Sequence, residues 1–151
     1  MRVQDMMTRK VQTIGVTESV SAAVERMRRS RIRHLVVMHD GKPAGIVSSG
    51  DVRALDPVRD RRVDEIMTTP AVTATPDMTM RKAANLLRGR SIGCLPVVED
   101  GTLVGIVTTS DLLERIGRGV ERPVSRGKRW ILKGRGPRRK SVVGRRDFAG
   151  R

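Results

Sequence analysis

Shifted by 60 residues, the sequence aligns with itself without a gap from Val3 to Asp51, and 15 of those 49 positions are identical. The identities include Met7/Met67, Thr8/Thr68, Leu35/Leu95, Asp40-Gly41/Asp100-Gly101, Gly45-Ile46-Val47/Gly105-Ile106-Val107 and Asp51/Asp111. The chain is therefore a duplicated unit. One copy alone is too small to bury both its sheet face and its helix stripe, so the two copies must cover each other about a pseudo-twofold axis. The spacing predicts one repeat over 1–55, a linker over 56–62, a second repeat over 63–116 and an extension over 117–151.

Each copy carries the same pattern. A lead-in ending in Met-Thr precedes a short strand, at Val11–Ile14 and at Ala71–Ala74. Apolar residues then recur with helical period, as Val20, Ala23, Val24 and Met27 and as Met80, Ala83, Ala84 and Leu87. Thr17 and Asp77 stand ahead of these stripes as expected N-caps. Two further strands follow, His34–Met38 with Pro43–Val47 and Cys94–Val98 with Leu103–Val107. Asp-Gly between β-branched runs predicts a hairpin in each copy. A second helix is expected to begin at Ser49/Gly50 and at Thr109/Ser110. The fold class is mixed α/β (α+β), with two strand–helix–strand–strand–helix repeats. Aromatic residues are almost absent, so the core is aliphatic and offers no stacking platform for single-stranded nucleic acid.

Both copies hold Gly, two apolar residues, Ser or Thr, two variable residues and Asp: Gly45 to Ser48 and Asp51, Gly105 to Thr108 and Asp111. The hydroxyl lies where strand becomes helix, beside free N–H groups and the positive end of the helix dipole, which favour a phosphate. Three residues on, a carboxylate can accept both hydroxyls of a ribose diol. The alternative is structural: the hydroxyl caps the helix and the carboxylate complements its dipole.

These two motifs, the Met-Thr lead-ins and the Leu35-Val36-Val37 and Leu95-Pro96-Val97-Val98 strands resemble the CBS domain, and the pair resembles a Bateman module, over about residues 3–115. The resemblance implies a regulatory module that binds an adenine nucleotide (AMP, ADP or ATP) between its repeats and relays the change to a separate protein. It also implies a homodimer, no catalytic residues and no required cofactor. It places Lys10, Val11, Thr13, Arg33 and His34 with Ser48 and Asp51 in a first site. It places Pro70, Ala71, Thr73, Gly93 and Cys94 with Thr108 and Asp111 in a second. Arg33 and His34 suit phosphate, whereas Gly93 and Cys94 do not. The Asp51 site is thus expected to take the phosphate chain.

Other features point to less. His34, His39 and Cys94 match no metal-ligand spacing, so no metal site is expected. Cys94 reads as a small core residue. The run Arg26, Arg28, Arg29, Arg31 and Arg33 reads as a solvated helix face or as the mouth of a cleft. A single cysteine and no long apolar run predict a cytoplasmic protein without a membrane span. Net charge is +15, of which residues 118–151 supply 13 Lys/Arg against 2 Asp/Glu, or +11. That extension is expected to be largely disordered. It reads either as an anchor for nucleic acid or another polyanion or as a solubilising tail. Two further functions stay open at this point: a nucleic-acid-associated regulator acting through the tail, and a structural dimeriser with empty clefts.

Overall fold

In each copy one helix and one hairpin form where the apolar periodicity and the Asp-Gly pair predict them. The computed structural model describes residues 1–55 and 61–118. Most of the expected linker and the basic extension beyond 118, with Trp130, lie outside the described residues. The first copy runs β1 (Thr13–Gly15), α1 (Val20–Ser30), β2 (His34–His39), β3 (Lys42–Ser48) and α2 (Ser49–Arg53). The second runs α3 (Met80–Gly89), β4 (Cys94–Glu99), β5 (Thr102–Thr108) and α4 (Thr109–Gly117). A 3₁₀ turn opens each copy, at Val3–Asp5 and Val63–Glu65.

β2 and β3 pair antiparallel, as do β4 and β5. Asp40 and Gly41 both take positive φ between the paired His39 and Lys42, the geometry of a type I′ turn, and Asp100-Gly101 repeats it. The helix caps fall two residues later than expected. Ser19 accepts from the Ala22 N–H at 3.1 Å, and Thr79 from the Lys82 N–H at 3.3 Å. Each copy offers two capping residue types two positions apart, Thr17 and Ser19 or Asp77 and Thr79, and the one directly before the first buried apolar residue is used. Val20, Ala23 and Met27 are buried, but Val24 is 38% exposed at the edge of the stripe.

The expected strand at 71–74 does not form. β1 pairs parallel with β2, helped by the Val36 N–H donating to the Gln12 carbonyl at 3.3 Å. The second copy has Pro96 where the first has Val36, and proline has no N–H to give. Only an isolated bridge remains, between Ala74 and Val97.

The lead-ins exchange places. The Val3 N–H donates to the Met78 carbonyl at 2.9 Å, and Thr8 and Ile106 exchange both backbone hydrogen bonds. Reciprocally, the Val63 N–H donates to Glu18 at 2.8 Å, and Thr68 pairs with Ile46. Val3 and Met7 accordingly sit in the core of the second copy with Leu87, Leu95 and Val107. Val63 sits in the core of the first, with Met27, Leu35 and Val47. This exchange explains a glycine in each motif. A Cβ at Gly45 would lie 2.7 Å from the Thr68 carbonyl oxygen, and one at Gly105 would lie 2.6 Å from the Met7 sulfur.

Candidate functional site

The two Ser/Thr-x-x-Asp motifs fold as capping boxes. The Ser48 N–H donates to Asp51 Oδ2 at 2.8 Å, and the Asp51 N–H donates to Ser48 Oγ at 3.1 Å. In the second copy the Thr108 N–H donates to Asp111 Oδ2 at 2.7 Å, and the Asp111 N–H to Thr108 Oγ1 at 3.2 Å. The structural role of these residues is therefore real. It leaves room for a second one: among the described residues, neither box engages Oδ1 of its aspartate. Each carboxylate is half-buried and held in one orientation at the wall of a cavity. Backbone bonds from Ser49 N–H to the Arg33 carbonyl (2.9 Å) and from Thr109 N–H to the Gly93 carbonyl (3.0 Å) fix each helix start against the residues before β2 and β4.

The cavities are not divided by repeat. Ser48 and Asp51 share a cavity of about 160 Å³ with Thr68, Pro70, Ala71, Val72 and the segment Ser91–Cys94. Thr108 and Asp111 share one of about 410 Å³ with Thr8, Lys10, Gln12, Arg31 and Arg33. The grouping by repeat is thus corrected: each motif faces the lead-in and pre-strand residues of the other copy. The cause is the lead-in exchange, which carries Thr8 and Lys10 to β5 and Thr68 and Pro70 to β3. Arg33 stands with Asp111, so the expectation that the Asp51 site is the basic one is reversed. Val11, Thr13 and Thr73 line neither cavity. Gln12, Val72, Ile46 and Ile106 do and were missed. The even positions 10 and 12 face the cavity, and alternation along an extended lead-in was the signal that could have found them.

His34 lines both cavities. It can do so because Gly93 has no side chain: a Cβ there would stand 2.5 Å from His34 Nε2. Burial pushes the His34 pKa below its ordinary value, with Asp51 pulling it up and Arg33 pushing it further down. Cys94, the counterpart of His34, is buried, and burial alone pushes its thiol up to about 12. It is protonated at neutral pH and poorly suited to act as a nucleophile. Among the described residues no group of His, Cys, Asp and Glu could hold a metal ion, and no helix is long and apolar enough to cross a membrane.

The arginine run divides. Arg26 pairs with Glu18 at 2.9 Å, and Arg28 and Arg29 pair with Glu25, all on or beside α1. Arg31 and Arg33 instead reach the Asp111 cavity.

The pattern of the CBS domain family matches residues 3–57 and again 63–118. The chain belongs to the CBS domain family. This CBS pair is 31% identical over 114 residues to the CBS domain-containing protein YhcV of Bacillus subtilis, spanning 73% of this chain and 81% of that one. Its fold matches the CBS domain pair of protein MJ0100, solved in complex with 5′-methylthioadenosine and S-adenosyl-L-methionine. The TM-score is 0.72 at 30% identity, covering 78% of this chain and 97% of that one. The pair is also 35% identical over 112 residues to a homoserine O-acetyltransferase of Methanohalobium evestigatum. There it spans 73% of this chain but only 23% of the relative's length, so no acetyltransferase activity follows for this chain.

Proposed function

We propose that this CBS pair is a regulatory, non-catalytic module that binds an adenine nucleotide between its two repeats and passes the resulting change in their arrangement to a separate protein. The observation that carries this reading is the composition of the clefts. Each is built from both copies and holds an aspartate that is fixed by its capping box and whose Oδ1 takes no hydrogen bond among the described residues. A ribose diol donating to that carboxylate would touch the other copy's lead-in and pre-strand segment at the same time. A ligand so placed stabilises one arrangement of the repeats over others, which is all that a population shift requires. The MJ0100 pair, with two adenosine compounds bound, supports the class of ligand. We further propose that the module acts as a homodimer.

Thermal denaturation in the presence of AMP, ADP, ATP, S-adenosylmethionine and NAD tests the reading, with the Asp51→Ala/Asp111→Ala double variant as control. A ligand at ~100 times its Kd adds about 2.7 kcal/mol, or several degrees for a domain of this size. A stabilisation present in the native protein and absent from the double variant is the expected result. No shift with any of the five compounds would leave the clefts empty and the pair a structural dimeriser.

A further inference from the structure

The two clefts carry opposite charge. Lys10, Arg31 and Arg33 line the Asp111 cleft, three cations against one carboxylate. Among the described residues, the Asp51 cleft is lined by one carboxylate and no lysine or arginine. The difference is written into the repeat. At the three positions where the first copy has Lys10, Arg31 and Arg33, the second has Pro70, Ser91 and Gly93. The lead-in exchange and the shared pre-strand geometry then gather all three cations on one side. Arg33 and Lys10 are exposed at the cleft wall and need no backbone change to reach a ligand.

We propose that the clefts divide adenosine ligands by charge: the Asp111 cleft takes a nucleoside polyphosphate, and the Asp51 cleft takes an adenosine compound without phosphate. This rests on the reading that the clefts bind adenosine at all. Both aspartates offer the same ribose contact, so the sugar does not distinguish the sites. What distinguishes them is the far end of the ligand. In the Asp111 cleft a phosphate chain meets guanidinium and ammonium groups, whose charge-assisted hydrogen bonds are the stronger kind. In the Asp51 cleft the same chain would meet an unneutralised carboxylate and the apolar walls of Val72, Ile92 and buried Cys94. A neutral or cationic 5′ substituent meets no such penalty there. The smaller volume points the same way. His34 belongs to both walls and gives neither cleft a fixed charge while it stays neutral.

Titration calorimetry of the full chain with ATP and with adenosine, separately and in sequence, tests this at near-neutral pH and moderate salt. In Lys10→Ala/Arg33→Ala, ATP affinity should fall by about tenfold or more while adenosine affinity stays within about twofold. Protein saturated with ATP should still bind adenosine. A gain of function completes the test. Ser91→Arg restores to the Asp51 cleft the counterpart of Arg31. The backbone accepts it, since Arg31 and Ser91 hold φ of 53° and 52°. This variant should take up ATP in the Asp51 cleft as well. If ATP displaces adenosine, or if the Lys10/Arg33 variant binds ATP unchanged, the division by charge is wrong while the nucleotide reading stands. If the native protein binds neither compound, the division by charge fails, and the thermal screen with the five compounds decides whether the nucleotide reading fails with it.

Discussion

At the scale of single residues, His34 and its counterpart Cys94 show how one position in a duplicated unit acquires two characters. His34 lies between the clefts, and its pKa is lowered chiefly by burial. The folded state therefore holds the imidazole proton less tightly than the unfolded chain does. The stabilisation from a neutral His34 is complete above the unfolded pKa of about 6.5 and is lost as pH falls through the lower folded value. The melting temperature of His34→Gln should accordingly fall less than that of the native protein between about pH 7 and about pH 5. Parallel curves would show that the imidazole is not buried as described. Cys94 gives a second expectation. With its thiol pushed up to about 12, it carries about a thousandfold less thiolate than an ordinary cysteine. Labelling by a disulfide reagent should be slow in the folded protein and fast in urea. Equal rates would place the thiol at the surface. That Asp51 and Asp111 stand at cavity walls was legible from the repeat of Ser/Thr-x-x-Asp. Their cavity partners were not, because residue types alone do not say across which interface a side chain looks.

At the scale of elements, the hairpins and helix stripes followed from patterning, and two departures have local causes. Pro96 removes the N–H that would complete a third strand in the second copy. The lead-in exchange is subtler. Val3 and Val63 are the same residue, as are Met7 and Met67, so either core would accept either lead-in, and no pattern of apolar residues can choose between them. The choice has an energetic signature. Met7 belongs to the cluster of Leu95, while Leu35 lies in the other cluster. Met7→Ala should cost roughly 2–5 kcal/mol, toward the lower end because its side chain is not fully enclosed. Combined with Leu95→Ala, the losses should deviate from additivity by about 0.5–3 kcal/mol. Combined with Leu35→Ala, they should add to within about 0.5 kcal/mol. Urea denaturation of the three single and two double variants decides it. Coupling to Leu35 in place of Leu95 would return each lead-in to its own copy.

At the scale of the whole molecule, the exchange makes the two CBS repeats one folding unit. A fragment of about 60 residues is marginal even with a complete core, and neither half has one. Residues 61–118 lack Val3 and Met7, which are buried against Leu95 and Val107. Residues 1–60 lack Val63, which is fully buried in the first copy's cluster. Each fragment also leaves its Gly45 or Gly105 strand facing no lead-in, with the Ile46 or Ile106 backbone groups unpaired. Expressed separately, the halves should show little cooperative unfolding by circular dichroism. Mixed in equal amounts, they should regain a single cooperative transition, because the missing lead-in of each arrives with the other. The same construction links stability to sensing. On the proposed reading a ligand in either cleft would touch both copies, so it would oppose the same separation that unfolding requires and should raise the one transition of the intact chain rather than split it in two. A folded, monomeric fragment 61–118 would sever that link, for then the second copy would stand without Val3 and Met7, and a ligand bridging the repeats would report on their docking alone.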